Sequence, residues 1–280
     1  MQSIGEIIAG ISELPTFPAV AMKVLRTVRD PTYTTDELTA AISLDAAITA
    51  KMLKLCNSSY WGLRCPVGTV QEAVVFLGQR TILNLVLVSC AADMFRDSGG
   101  GYIMDPGALW RHSVGCAIGA DLLARRSSNV SPDKAFTAGL FHDVGKIVLN
   151  EHMRAQLPEV LQRCAEGRTF VEAEREVLGL HHGEIGGLLV ESWDFPEELV
   201  QAVRFHHEPC LAGEHQSLAV LAHVADILCL TMGIGAGADG LAYRAMPGAL
   251  EMLQLGREEI PRLGLELVES LKMAQEFLEL

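Results

Sequence analysis

The sequence predicts an all-α protein, and three observations carry that expectation. Apolar residues recur at helical spacing almost throughout, and runs of β-branched residues with a period of two are few. Capping boxes mark helix starts at Thr34/Glu37, Thr69/Glu72 and Thr169/Glu172, where a threonine and a glutamate three residues later satisfy each other's end of the first turn.

Taken in order, Leu14-Pro15-Thr16-Phe17-Pro18 is expected to be extended, since each proline biases its predecessor away from helix. A helix from Ala19 to Arg29 should stop at Asp30-Pro31. The Thr34 box starts one running to about Leu44, and Asp45 caps the next, Ala46 to about Cys56, which Asn57-Ser58-Ser59 breaks. The Thr69 box opens Val70 to Leu77, ended by Gly78. Gln79 to about Arg96 then packs Ile82, Leu83, Val86 and Leu87 on one face. Ser98-Gly99-Gly100-Gly101 reads as a flexible connection. Asp105-Pro106 has the chemistry of a helix start, for a helix that carries His112 to about Arg126. Ser131-Pro132 starts the helix that delivers Phe141-His142-Asp143. The Thr169 box leads to a turn at Gly179 and on to His181-His182-Gly183-Glu184. A helix begun at Trp193-Asp194-Phe195-Pro196 ends in Arg204-Phe205-His206-His207-Glu208-Pro209. Gln216 or Ser217 caps the helix bearing His223 and Asp226. Four glycines between 233 and 240 make a loop, and one or two amphipathic helices follow, the last from about Arg262 to Phe277 behind Pro261.

The 280 residues can bury a sizeable core as one large domain or two smaller ones, and 49% hydrophobic with 20% charged residues is the composition of a globular protein. A net charge of −13 argues against general nucleic-acid binding and against an anionic membrane surface, but leaves room for a small phosphorylated ligand held by a local metal. Seven cysteines without a CxxC pair fit a reducing cytoplasm and read as core filler. No basic-then-apolar start precedes Lys23, so no signal peptide is expected. Thr81 to Phe95 and Leu218 to Met232 are interrupted by Asn84, or by His223 and Asp226, and read as buried helices, not membrane spans.

The stretch Ala138-Gly139-Leu140-Phe141-His142-Asp143-Val144-Gly145-Lys146 sets a histidine, a carboxylate and a lysine inside apolar sequence. Such polarity is costly to bury unless something binds it. One reading is a divalent metal held by imidazole and carboxylate, with Lys146 meeting a phosphate. The other is a helix end with a hydrogen-bonded histidine and a solvated Asp143–Lys146 pair. Further histidines are less specific. His181 reads as an outward or adjacent neighbour of His182, His223 either orients Asp226 or is a core residue, and His152 and His215 carry no assignment.

Leu14-Pro-x-x-Pro18, Asp30-Pro31, Ile42-Ser43-Leu44-Asp45, Leu53-x-Leu55-x-Asn57-Ser58 and Ala73-Val74-x-x-Leu77-Gly78 fall in the order and spacing of the bacterial HDOD family. The chain resembles that family, a signalling-associated relative of the HD-domain phosphohydrolases, from about Leu14 to Asp226. The resemblance implies a multi-helix HDOD fold: an N-terminal helical subdomain over 1–98, an HD-like metal-site subdomain over 102–232 and a helical tail over 241–280. It assigns His112, His142, Asp143 and Asp226 to one metal. By likeness to the two-metal HD-GYP relatives it assigns His182, His206 and His207 to a second, with Asp143 bridging. Iron or manganese is favoured and zinc is compatible. If the centre is catalytic, Asp143 bridges and Lys146 neutralises charge on a phosphoryl group. The Gly-Tyr-Pro segment of cyclic-di-GMP phosphodiesterases is missing after His206-His207-Glu208-Pro209. The resemblance therefore implies a cytoplasmic signalling or interaction module with a protein partner or a small phosphorylated ligand. Its alternative is a metal-dependent phosphohydrolase acting on a nucleotide or cyclic dinucleotide.

Overall fold

Each expected capping box opens a helix. In the computed structural model, which describes residues 17–30, 32–95, 100–127, 130–238, 240 and 243–279, Thr34, Thr69 and Thr169 each accept from the backbone N–H of the glutamate three residues on. That glutamate accepts from the threonine's own N–H in return. Among the described residues there is no strand, and no helix is long and apolar enough to cross a membrane. Leu14, Pro15, Thr16, Pro31, Arg96, Ser98 and Gly99, where parts of four expectations fall, lie outside the described residues.

The described residues divide into two compact units. One comprises residues 17–93 and 269–279. Its helices are α1 (Ala19–Arg29), α2 (Thr35–Ile42), α3 (Ala46–Cys56), α4 (Val70–Leu77) and most of α5 (Gln79–Phe95). Asp45 caps α3 by accepting from Ala47 and Ile48 N–H, as its position predicts. Helix α2 stops at Ile42, two residues short of the expected Leu44, because Asp45 must leave helical geometry to cap α3. Asn57, expected only to break α3, also exchanges two hydrogen bonds with the backbone of Val67, at 2.8 and 2.9 Å, and so closes the intervening loop.

The other unit comprises the described residues between 94 and 268 and holds the candidate site. Its helices are α6 (Ala108–Ala124), α7 (Pro132–Phe141), α8 (Gly145–Ala165), α9 (Phe170–Leu178), α10 (His182–Ser192), α11 (Glu197–Arg204), α12 (Gln216–Thr231) and α13 (Ala249–Met252), with most of α14 (Ile260–Met273). Helix α15 (Gln275–Leu278) returns to the first unit, so the tail forms two consecutive helices at its end. Helix α6 packs on α7 and α12, and α10 packs on α8 and α11. Nearly every residue of α6 is buried.

Two boundaries differ from expectation for local reasons, and one helix was not expected at all. Helix α6 is capped by Gly107, whose φ of 74° suits glycine, and Asp105-Pro106 forms the turn before it. Helix α12 begins at Gln216 straight out of a short 3₁₀ turn, so neither Gln216 nor Ser217 caps it. The longest helix, α8, has no counterpart in the sequence reading, because Pro158 lies inside it and its apolar periodicity is weak. Tertiary packing of Val148, Leu149, Met153, Leu157 and Val160 holds it instead.

Candidate metal centre

Five helix ends or faces bring the site together. His112 lies on α6, His142 and Asp143 form the turn between α7 and α8, and Lys146 sits in the first turn of α8. His182 opens α10, His206 and His207 follow the end of α11, and Asp226 projects from α12. Consecutive helical residues point about 100° apart, so His206 and His207 can share a site only past a helix end. Helix α11 ends at Arg204, earlier than Pro209 alone would require, and frees both.

Close backbone approach sets the spacing. A Cβ on Gly139 would overlap the Cys116 carbonyl, and one on Gly145 would overlap the His182 carbonyl oxygen. Glycine at these positions lets α7 lie directly on α6, and α8 start directly against α10. The φ of Gly145 is not positive, and close packing is the task it performs.

Four imidazoles spend one nitrogen outward and aim the other inward. Nδ1 of His112 donates to Ile234 O at 2.9 Å, that of His142 to Gly139 O at 2.8 Å, and that of His206 to Val203 O at 2.7 Å. Nδ1 of His182 donates to Glu174 Oε2 at 2.6 Å. A carbonyl acceptor demands an N–H, so in each neutral ring Nε2 carries the lone pair. The four Nε2 atoms face Asp143 and Asp226. Asp143 stands between two groups: its Oδ2 lies 3.6 and 3.4 Å from Nε2 of His112 and His142, and its Oδ1 lies 3.3 and 3.9 Å from Nε2 of His182 and His206. His112 Nε2 is also 3.1 Å from Asp226 Oδ1, and His207 Nε2 is 2.8 Å from His182 Nε2.

Most of these groups are inaccessible, with His142, His182 and His206 at 0% exposure and Asp143 and Asp226 at 1%. Yet Nε2 of His142 and of His206 and Oδ2 of Asp226 have no hydrogen-bond partner among the described residues. Buried lone pairs left unpaired in this way are costly, and a shared cation satisfies them together. The donor set fits a divalent metal: His112, Cys116, His142 and Asp226 form one group of mutually close donors, and Asp143, His182, His206 and His207 form another. When bound, divalent cations would polarise a phosphoryl oxygen and acidify a water in the site.

The electrostatics follow from that crowding. Burial disfavours charge on Asp143, but His142, Lys146 and His182 outweigh it and hold its carboxyl well below the usual range. Burial likewise opposes ionisation of Asp226, whose hydrogen bond from His112 and the nearby histidines hold it at about 2. His112 is raised to about 9, because Asp226 and Asp143 overcome its burial. Burial, then the neighbouring imidazoles, push His206 and His207 well down. In the metal-free state one proton on His112 thus does part of the work of a cation.

All seven candidate ligands meet in this one region. For three other residues one of the two readings falls away. Lys146 is no surface residue: it is 2% exposed, with Nζ 2.7 Å from Asp143 Oδ2 and over the rings of Tyr102 and Tyr243. His223 does not orient Asp226; its Nδ1 donates to His206 O at 2.9 Å and its Nε2 accepts from Met246 N–H at 2.9 Å, tying the loop after α12 to the His206 turn. His181 does not face outward, because it caps α10 by accepting from Gly183 N–H, buried at 1%. Glu174, Tyr102, Tyr243 and Cys116 escaped the sequence reading. Glu174 orients His182 and accepts from Tyr102 Oη at 2.6 Å. Tyr243 stacks on His207 with centroids 4.4 Å apart. Cys116 follows His112 by one turn, a spacing that was visible in the sequence. Glu174 stood among Glu172 and Glu176 with nothing to mark it out.

The pattern that defines the HDOD domain matches residues 14–209, well over half of the chain. The chain belongs to the HDOD family. Solved structures agree on the fold. An HDOD domain protein from Geobacter sulfurreducens superimposes with a TM-score of 0.81 at 23% identity, covering 98% of this HDOD chain and 96% of that one. A Shewanella amazonensis SB2B protein, named as a proposed phosphohydrolase, does so with a TM-score of 0.73 at 25% identity and 97% coverage of both. A Treponema pallidum (strain Nichols) protein of uncharacterized function is 26% identical over 207 residues. The match spans 70% of this HDOD chain and 38% of that relative's length.

Proposed function

We propose that this HDOD protein is a cytoplasmic signal-transduction and interaction module built around a buried divalent metal centre. The carrying observation is the four inward-facing Nε2 atoms, fixed in tautomer by their Nδ1–H bonds, around two carboxylates. Outer partners of this kind hold metal-binding histidines in place. Family membership supports the signalling role, and burial of the centre supports a metal that stabilises or senses over one that turns over substrate. The output is a protein partner, or a small phosphorylated ligand, that responds to the loaded state. Iron or manganese suits the nitrogen and oxygen donors, and zinc is compatible.

A second reading, metal-dependent phosphohydrolysis of a nucleotide or cyclic dinucleotide, rests on one arrangement. Asp143 turns one oxygen toward each donor group, and Lys146 lies beside it where it would balance charge on a phosphoryl group. Likeness to the Shewanella protein points the same way. Metal analysis of chain purified without chelator, then a phosphoesterase panel with added manganese or iron, separates the readings. Bound metal without turnover supports the signalling module. Turnover that is lost in Asp143→Asn supports the hydrolase, and absence of bound metal refutes both.

A further inference from the structure

Cys116 belongs to none of the roles assigned above, yet its thiol sits among the donors. Its Sγ lies 3.5 Å from His112 Nε2, one helical turn along α6, and the residue is fully buried. Two independent features point to the same spot: Nε2 of His142 and Oδ2 of Asp226 are buried and find no hydrogen-bond partner among the described residues, and each of these two residues offers a donor atom within 4.8 Å of the sulfur. Donors sharing a tetrahedral ion at ~2.3 Å for sulfur and ~2.0–2.1 Å for nitrogen stand ~3.5 Å apart. The observed separation is that distance.

We propose that Cys116 is a ligand of the first metal position, which makes it a His112–Cys116–His142–Asp226 site that selects zinc over manganese. This rests on the metal centre proposed above and adds to it the identity of one donor and of the preferred metal. A thiolate is a soft ligand, whereas manganese prefers oxygen. Coordination replaces the thiol proton, which leaves to solvent as the metal binds. The second group, Asp143, His182, His206 and His207, contains no sulfur and keeps the broader preference. The two positions are therefore chemically unlike. Cys229, also buried and facing Cys116 from α12, is outside the donor group and provides an internal control.

Cobalt(II) titration of the metal-stripped full chain under anaerobic conditions tests this. The unaltered chain is expected to show a near-ultraviolet thiolate-to-cobalt charge-transfer band together with visible ligand-field bands. In Cys116→Ser the charge-transfer band disappears, the visible bands remain, and the preference for zinc over manganese falls at least tenfold. Cys229→Ser keeps both sets of bands. Visible bands without charge transfer in the unaltered chain overturn the cysteine ligand alone, as does a charge-transfer band that survives in Cys116→Ser. Absence of all bands overturns the metal centre itself. Zinc-edge X-ray absorption of the unaltered, zinc-loaded chain gives a check that no variant's folding can obscure: one sulfur scatterer at ~2.3 Å is expected, and only nitrogen and oxygen neighbours refute it.

Discussion

Glu174→Gln removes charge from the centre while keeping shape. The Glu174 carboxylate is fully buried and accepts three hydrogen bonds: Tyr102 Oη at 2.6 Å, His182 Nδ1 at 2.6 Å and His182 N at 3.1 Å. A glutamine in its place keeps one accepting oxygen for the two His182 donors and turns its NH₂ to Tyr102 Oη, which can accept, so both His182 bonds lose their charge assistance. Bonds to a charged group are worth about 1.5–3 kcal/mol each. The imidazole then keeps only a weaker, neutral anchor and loses the charge that raises its basicity. Each 1.4 kcal/mol is tenfold in affinity, so binding at the His182 side should weaken by about 10–100-fold. Competition against a metallochromic chelator measures it, with circular dichroism confirming that the fold is retained. A folded Glu174→Gln chain that binds metal as tightly as the original would refute the reasoning that His182 is a donor held by Glu174.

Lys146→Met strips Asp143 of its ammonium partner, and because both are about 2% exposed the stripped protein should lose about 3–5 kcal/mol in urea denaturation. A bound cation supplies the missing positive charge, so metal should restore more stability to this variant than to the original chain. Gly145→Ala drives a methyl into the His182 carbonyl and should both destabilise the protein and weaken metal binding. Thermal melts with and without zinc read the two effects. The stripped protein should be most stable near pH 6.5. Above that, His112, held at about 9, loses its proton and stability worth about 3 kcal/mol goes with it as pH rises through 9. Below it, the unfolded chain protonates histidines whose folded values are depressed, His181, His206, His207 and His223, and stability falls again. Denaturant midpoints from pH 5 to 9.5 that show no maximum would contradict this, and zinc should flatten the alkaline limb.

What the sequence revealed depended on how local the signal was. The boxes at Thr34, Thr69 and Thr169, the cap at Asp45 and the stop at Gly78 are encoded within a single turn, and they appear where the spacing put them. Helix α8 was missed because long-range packing, not its own periodicity, holds it around Pro158. The seven donors were legible as residue types in a familiar order, and convergence depended on glycines at 139 and 145 whose role is visible only in three dimensions. Glu174 and Tyr243 approach the histidines from elements that no spacing rule connects to them. Cys116 differs in kind: its i+4 relation to His112 was readable, and seven scattered cysteines drowned it.

The proposed metal centre gathers the buried histidines and aspartates and is divided by Asp143. Anomalous diffraction at the zinc, iron and manganese edges, from crystals of chain purified without chelator, tests it most directly. One or two peaks flanking Asp143, within about 2.0–2.3 Å of the inward-facing Nε2 atoms, are predicted. Clear density for these side chains with no anomalous peak between them would contradict it.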